Sequence, residues 1–205
     1  AALEAANNLS GSFGMARLIG ITLVIALIAA GAAVAEPVTG KAARKALLST
    51  KGAEVEIMAV AGLPQDQSKV LEMVAGDQPY YGAIAISPDE GLMSEATFAA
   101  ANYHDTAAAS AAALMECNAK KTGESDCVVA ALIRPKNWKD TGFQLSRAAT
   151  VGFKDDYDME GGALAISMST GLFGIANGEG AGPAAIAACA AKSEKANDCR
   201  IAVAN

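Results

Sequence analysis

The chain has 205 residues, with 16 Lys plus Arg against 22 Asp plus Glu, a formal net charge of −6 and 52% hydrophobic residues. No basic cluster is dense enough to track phosphates, which argues against a nucleic-acid partner. A single histidine rules out a multi-histidine metal centre, and no cofactor-pocket motif is present, so neither cofactor nor metal is expected.

In chain order, residues 1–14 precede Met15 without a Met of their own and read as upstream residues or a misplaced start. Residues 15–35 have the three-part layout of a signal peptide: Met15-Ala16-Arg17, an apolar run from Leu18 to Ala30, and Ala33-Val34-Ala35 as the cleavage pattern. The expected location is therefore periplasmic or secreted, with cleavage after Ala35. The alternative keeps Leu18–Ala35 as an inner-membrane anchor, and membrane contact is expected only then. Residues 36–79 read as a small α/β N-terminal region, with a helix over Lys41–Leu48, a strand over Glu54–Val60 and a helix over Pro64–Ala75. It is either a packing element or a separate lobe.

The rest is organised by a duplication. Gly82-Ala83-Ile84-Ala85-Ile86-Ser87 returns as Gly162-Ala163-Leu164-Ala165-Ile166-Ser167, and both copies continue to Gly-Leu. Each then runs through Ala-rich sequence to a cysteine pair, Cys117 and Cys127, then Cys189 and Cys199. Repeat unit 1 spans residues 80–133: a strand over Tyr80–Ser87, a turn, a second strand over Leu92–Phe98, a helix over Ala107–Lys120 and a third strand over Cys127–Ile133. Ala111, Leu114, Met115 and Ala119 are the expected apolar face of that helix, and Asp105 or Thr106 its cap. Residues 134–160 form a connector with a helix near Ser146–Phe153. Repeat unit 2, residues 161–205, has strands over Gly162–Ser167, Leu172–Ala176 and Arg200–Ala204, with a helix over Ala184–Lys192. It lacks the eight residues that unit 1 carries as Ala99–Thr106.

The fold class is α+β: two tandem β-β-α-β units, each with a local disulfide, expected to pack with pseudo-two-fold symmetry and share a sheet or a core. Four cysteines allow three pairings. A repeat that folds by its own rules favours Cys117–Cys127 and Cys189–Cys199, each ring worth about 2.7 kcal/mol in chain entropy. The rival four-thiolate zinc site usually needs tighter ligand spacing than C-x9-C.

Chemistry is sparse. His104-Asp105 is the one dipeptide suggesting a general base, but adjacent residues point apart, Asp105 suits a helix cap, and no serine lies in a Gly-x-Ser-x-Gly elbow. Asp155, Asp156, Asp158 and Glu160 read as a solvated turn rather than a calcium loop. Gly178 to Gly182 lacks the Lys-Ser/Thr of a phosphate loop. Arg134 and Lys136 beside Trp138 form either a recognition patch or an anchor pinning the connector to the core.

On Gly82–Ser87, Gly91, Ala107–Cys117 and Cys127–Ala131, and again on Gly162–Ser167, Gly171, Ala184–Cys189 and Cys199–Val203, the chain resembles a family of small exported bacterial domains of uncharacterised function. The resemblance covers about half the chain and fails over Glu36–Gln78 and the connector. Ser94-Glu95-Ala96-Thr97 departs from the aromatic and Gly-rich second strand of that family. The resemblance implies a fold and an exported setting, and it transfers no catalytic residues. The function expected is an exported envelope or periplasmic binding module, with an unknown protein or envelope component as partner and Trp138, Arg134, Lys136 and His104 as candidate binding residues. The alternatives are a hydrolase-like enzyme acting on cell-envelope material, or an accessory subunit of a membrane complex anchored by its leader.

Overall fold

The structure is a computed structural model that describes residues 36–60 and 63–205. The expected leader and the residues before it lie outside the described residues. Among the described residues five helices and seven strands follow in the order α1 (Gly40–Ala46), β1 (Ala53–Ile57), α2 (Gln65–Gly76), β2 (Gly82–Ile86), β3 (Phe98–Ala100), α3 (Thr106–Lys120), β4 (Val128–Pro135), α4 (Arg147–Asp156), β5 (Gly162–Ile166), β6 (Phe173–Asn177), α5 (Ala181–Ala190) and β7 (Arg200–Ala204). The fold is mixed α+β in two similar halves.

The halves do not share a sheet. β1-β4-β2-β3 make a four-stranded antiparallel sheet and β6-β5-β7 a three-stranded one. The N-terminal region contributes to both: β1 pairs with β4, and Val38 bridges to Val203 of β7. Each sheet thus places an N-terminal segment beside the third strand of its half. Both first strands carry the same irregularity, between Ile84 and Ala85 and between Leu164 and Ala165.

The repeated Gly-Ala-Ile/Leu-Ala-Ile segment explains the layering. Side chains alternate across a strand, so Ala83 and Ala85 face α3 and pack with Ala109, Ala112, Ala113 and Cys117. Ile84 and Ile86 face the other way, onto Leu71 and Ala75 of α2. In the second half Ala163 and Ala165 meet Ala181, Ala185 and Cys189 of α5, while Leu164 and Ile166 meet Ala149 and Phe153 of α4. Each buried Ile or Leu contributes about 1.5–3 kcal/mol. The alanine faces contribute less area and let a helix lie close to its sheet.

Both disulfides form as paired, Cys117–Cys127 and Cys189–Cys199, each across a Cα separation of 6.1 Å and each tying the helix to the start of the third strand.

Two expectations are corrected. The second strand of the first half does not span Leu92–Phe98; it begins only at Phe98. The preceding stretch satisfies its polar groups locally: Ser94 Oγ donates to Glu90 and accepts from Ala96 N–H, while Thr97 Oγ1 donates to Leu92 O. Such side-chain bonds compete with a strand ladder. The buried face of α3 is Ala109, Ala112, Ala113 and Cys117, whereas Met115 is 64% exposed. Closeness to the sheet selects the smallest side chains, so the larger apolar residues Leu114 and Met115 were misleading guides. Asp105 is the cap of α3, accepting from Ala108 N–H at 2.7 Å.

Candidate functional site

The two halves meet over a cleft of about 240 Å³. Its walls come from the N-terminal segment (Glu36, Val38), the loop between β3 and α3 (His104, Asp105), the loop before α4 (Gly142, Phe143, Gln144), and the second half (Ile166, Met168, Arg200, Ala202).

His104 forms the floor. It is 1% exposed. Its Nδ1 accepts from Ser146 N–H at 3.1 Å, which requires Nε2 to carry the proton; Nε2 then donates to Leu172 O at 3.1 Å. Burial is the main cause that holds its pKa down to about 4, so the ring is neutral near pH 7. Both nitrogens are engaged, and each bond reaches a different element: the start of α4 and the turn before β6. The ring ties the halves together and leaves no nitrogen open to the cleft.

Arg200 stands at the start of β7, opposite Ile166. Its counterpart in the first half is Val128, which sits opposite Ile86 in the same way. Arg200 is half-buried as a residue, and its guanidinium makes no ion pair with another described residue. Asp105 turns a carboxylate oxygen onto the first turn of α3. Val38, Phe143, Ile166 and Met168 supply the apolar wall, packed against the core of the second half. An apolar cavity with a few polar groups converging on it is the ordinary form of a small-ligand site.

The connector residues singled out by composition lie elsewhere. Trp138 packs against the core of the first half, partly buried with Ile84, Ile86 and Ile133. The Arg134 guanidinium lies 4.7 Å from the Trp138 ring centre and pairs with Glu56 of β1. Lys136 is exposed. Trp138 and Arg134 therefore join connector, β1 and β4, and neither they nor Lys136 line the cleft that holds His104.

Sequence reasoning missed Arg200, Phe143, Gln144 and Met168. One signal was available: the step Cys127-Val128 of the first half is matched in the second by Cys199-Arg200, a charge at the start of an otherwise apolar strand.

Several acidic groups in the turns and cysteine loops have structural partners. Glu90 accepts from Ser94 Oγ at 2.6 Å, Gly123 N–H at 2.7 Å and Thr122 N–H at 2.6 Å, which together lower its pKa to about 2. Asp89 accepts from the Ser125 N–H and hydroxyl and is likewise lowered. In the second half Asp198 accepts from Ser167 and from Ser169, and those hydrogen bonds outweigh partial burial to lower its pKa. Asp158 accepts from Glu160 N–H in an exposed turn, and Gly180, at φ +72°, precedes α5 with no side-chain cap. Among the described residues no three His, Cys, Asp or Glu side chains are grouped to hold a metal ion, and no helix is long and apolar enough to cross a membrane. Comparison of the chain with protein-family models, with curated proteins and with solved structures gives no match.

Proposed function

We propose that the chain is an exported interaction module of the periplasm or cell envelope, with the cleft between its halves as the recognition site. The observation that carries this reading is the cleft itself: a cavity assembled from both halves, apolar on one side, with one cationic side chain, Arg200, that has no ion-pair partner among the described residues. Two disulfides in a chain of this size suit an oxidising compartment. The leader pattern over residues 15–35 points the same way. A hydrolase built on His104 draws less support, because that ring spends both nitrogens on the backbone.

The test is fractionation of cells that express the chain with its own leader, with the mature N-terminus and cysteine state read by mass spectrometry, followed by cross-linked capture. Recovery from the periplasm or medium with both disulfides formed, and an envelope component captured by the wild type but lost in Met168→Glu, is the expected result. Recovery from the cytosol with reduced cysteines would overturn the proposal.

A further inference from the structure

We propose that the cleft binds a small carboxylate bearing an apolar group, with the Arg200 guanidinium as the carboxylate anchor and Val38, Phe143, Ile166 and Met168 as the seat for the hydrocarbon. This deepens the reading of the chain as a binding module and rests on it.

Three independent observations lead there. Of the two partly buried arginines, Arg134 is paired with Glu56 and stacked on Trp138, whereas Arg200 has no protein partner among the described residues. A guanidinium presents five N–H donors in a fixed fork that fits a carboxylate with two parallel bonds. No Arg200 nitrogen is sealed from solvent among the described residues, so the fork stays within reach of a carboxylate that enters the cleft. The second observation is the register. Half one places Val128 where half two places Arg200, on the same first-strand partner position, so the fold accepts an apolar residue there and does not itself need the charge.

The third is size and sign. A cleft of about 240 Å³ is small beside the roughly 300–1,000 Å³ pockets of drug-sized ligands and suits a compact ligand. Asp105 and Glu36 border the same cavity. A second carboxylate on the ligand would face them, so a monocarboxylate fits better than a dicarboxylate. His104 is neutral with both nitrogens engaged and does not compete with Arg200 for the anion.

The experiment is calorimetric titration of the disulfide-bonded chain with 4-methylpentanoate and with leucine as probes, against 4-methylpentanamide and glutarate, with amide shifts by NMR to place the site. Binding of either monocarboxylate, with shifts at Gly142, Phe143, Gln144 and Met168, is expected. Neutral amide and dicarboxylate should bind at least tenfold more weakly. Arg200→Gln should weaken binding at least tenfold while the melting temperature stays near wild type, because the fold places an apolar residue at the matching position, and Met168→Glu should weaken binding by at least as much. Lack of binding by both monocarboxylates at 10 mM, or equal binding of the amide, or binding unaffected by both variants would overturn the inference. A failed titration leaves capture of an envelope partner free to succeed, so the two proposals fail separately.

Discussion

The two halves share a strand order, a disulfide and a helix packed through alanine, yet they differ where the chain has to join them. The first half carries the extra stretch Ala99–Thr106, and its residues do the joining. Asn102 Oδ1 accepts from Ala148 N–H of α4 at 2.9 Å, and His104 bonds to Ser146 and Leu172. The matched glycines register the asymmetry. Gly91 and Gly171 both have positive φ, +77° and +72°, and both close the same turn onto Ser87 O and Ser167 O at 2.9 Å. A Cβ at Gly91 would meet nothing, whereas one at Gly171 would collide with Asn102 O and lie 3.0 Å from Tyr103 Cα. The same residue serves conformation alone in one half and conformation plus contact in the other. The two similar halves keep the same internal packing and differ at the surface through which they meet.

The largest expected effect breaks the likeness of the two helix–sheet layers. Gly174 of β6 sits opposite Ala165, and the corresponding place opposite Ala85 holds Phe98. A Cβ at Gly174 would run into the backbone of α5 at Ala185 and Cys189. Backbone cannot step aside as a side chain can, so Gly174→Ala should cost about 4 kcal/mol or more, or prevent folding. Phe98→Ala, in contrast, should cost no more than about 3 kcal/mol, because Phe98 is only partly buried. Chemical denaturation of both variants checks this, and equal losses would break the proposed difference in helix approach. Gly171→Ala comes next, at about 3 kcal/mol, against about 1 kcal/mol for Gly91→Ala, where only the positive φ is strained.

Much of the fold was legible in residues 80–205 because strand alternation and the cysteine spacing are local signals. Gly-Ala-Ile-Ala-Ile names its own two faces, and Asp105 and Ser146 cap their helices by short-range bonds. The cleft was not legible. Its walls are drawn from residues as far apart as Val38 and Ala202, and nothing local marks Phe143 or Met168 as neighbours of Arg200. Trp138 and His104 attracted notice by residue type. Their surroundings decide their roles, and both turn out to be enclosed by contacts that composition cannot reveal.

The staples offer the next test. Replacing Cys117 and Cys127 by Ser, or Cys189 and Cys199, should each cost somewhat under 3 kcal/mol, since the rings have the same length. A large inequality would mean that one half depends on its staple more than the other. His104 probes the join itself. Its folded pKa of about 4 lies below the ordinary 6.5, so the unfolded chain binds the proton first and stability falls with acid between those values. The loss at pH 5 is about 2 kcal/mol, levelling off below pH 4. His104→Gln should lower stability at pH 7 and flatten this part of the pH profile. A profile of unchanged slope would assign the acid sensitivity elsewhere.

The smallest effect separates the halves most finely. In the first half the acids stand on the hairpin turn, and Glu90 accepts from the backbone of the Cys117–Cys127 loop. In the second half the acid stands in the cysteine loop, and Asp198 accepts from Ser169 of the turn. The same clasp is thus made with donor and acceptor exchanged. Glu90→Gln should speed amide hydrogen exchange at Thr122 and Gly123 several-fold and leave Ser169 unchanged; Asp198→Asn should do the reverse. Since the Glu90 pKa is lowered from 4.5 to about 2, its clasp is complete above pH 4.5 and lost as pH falls towards 2. Exchange that spreads from one loop to the other in either variant would show that the halves act as one cooperative unit, and confinement to one loop that each half governs its own clasp.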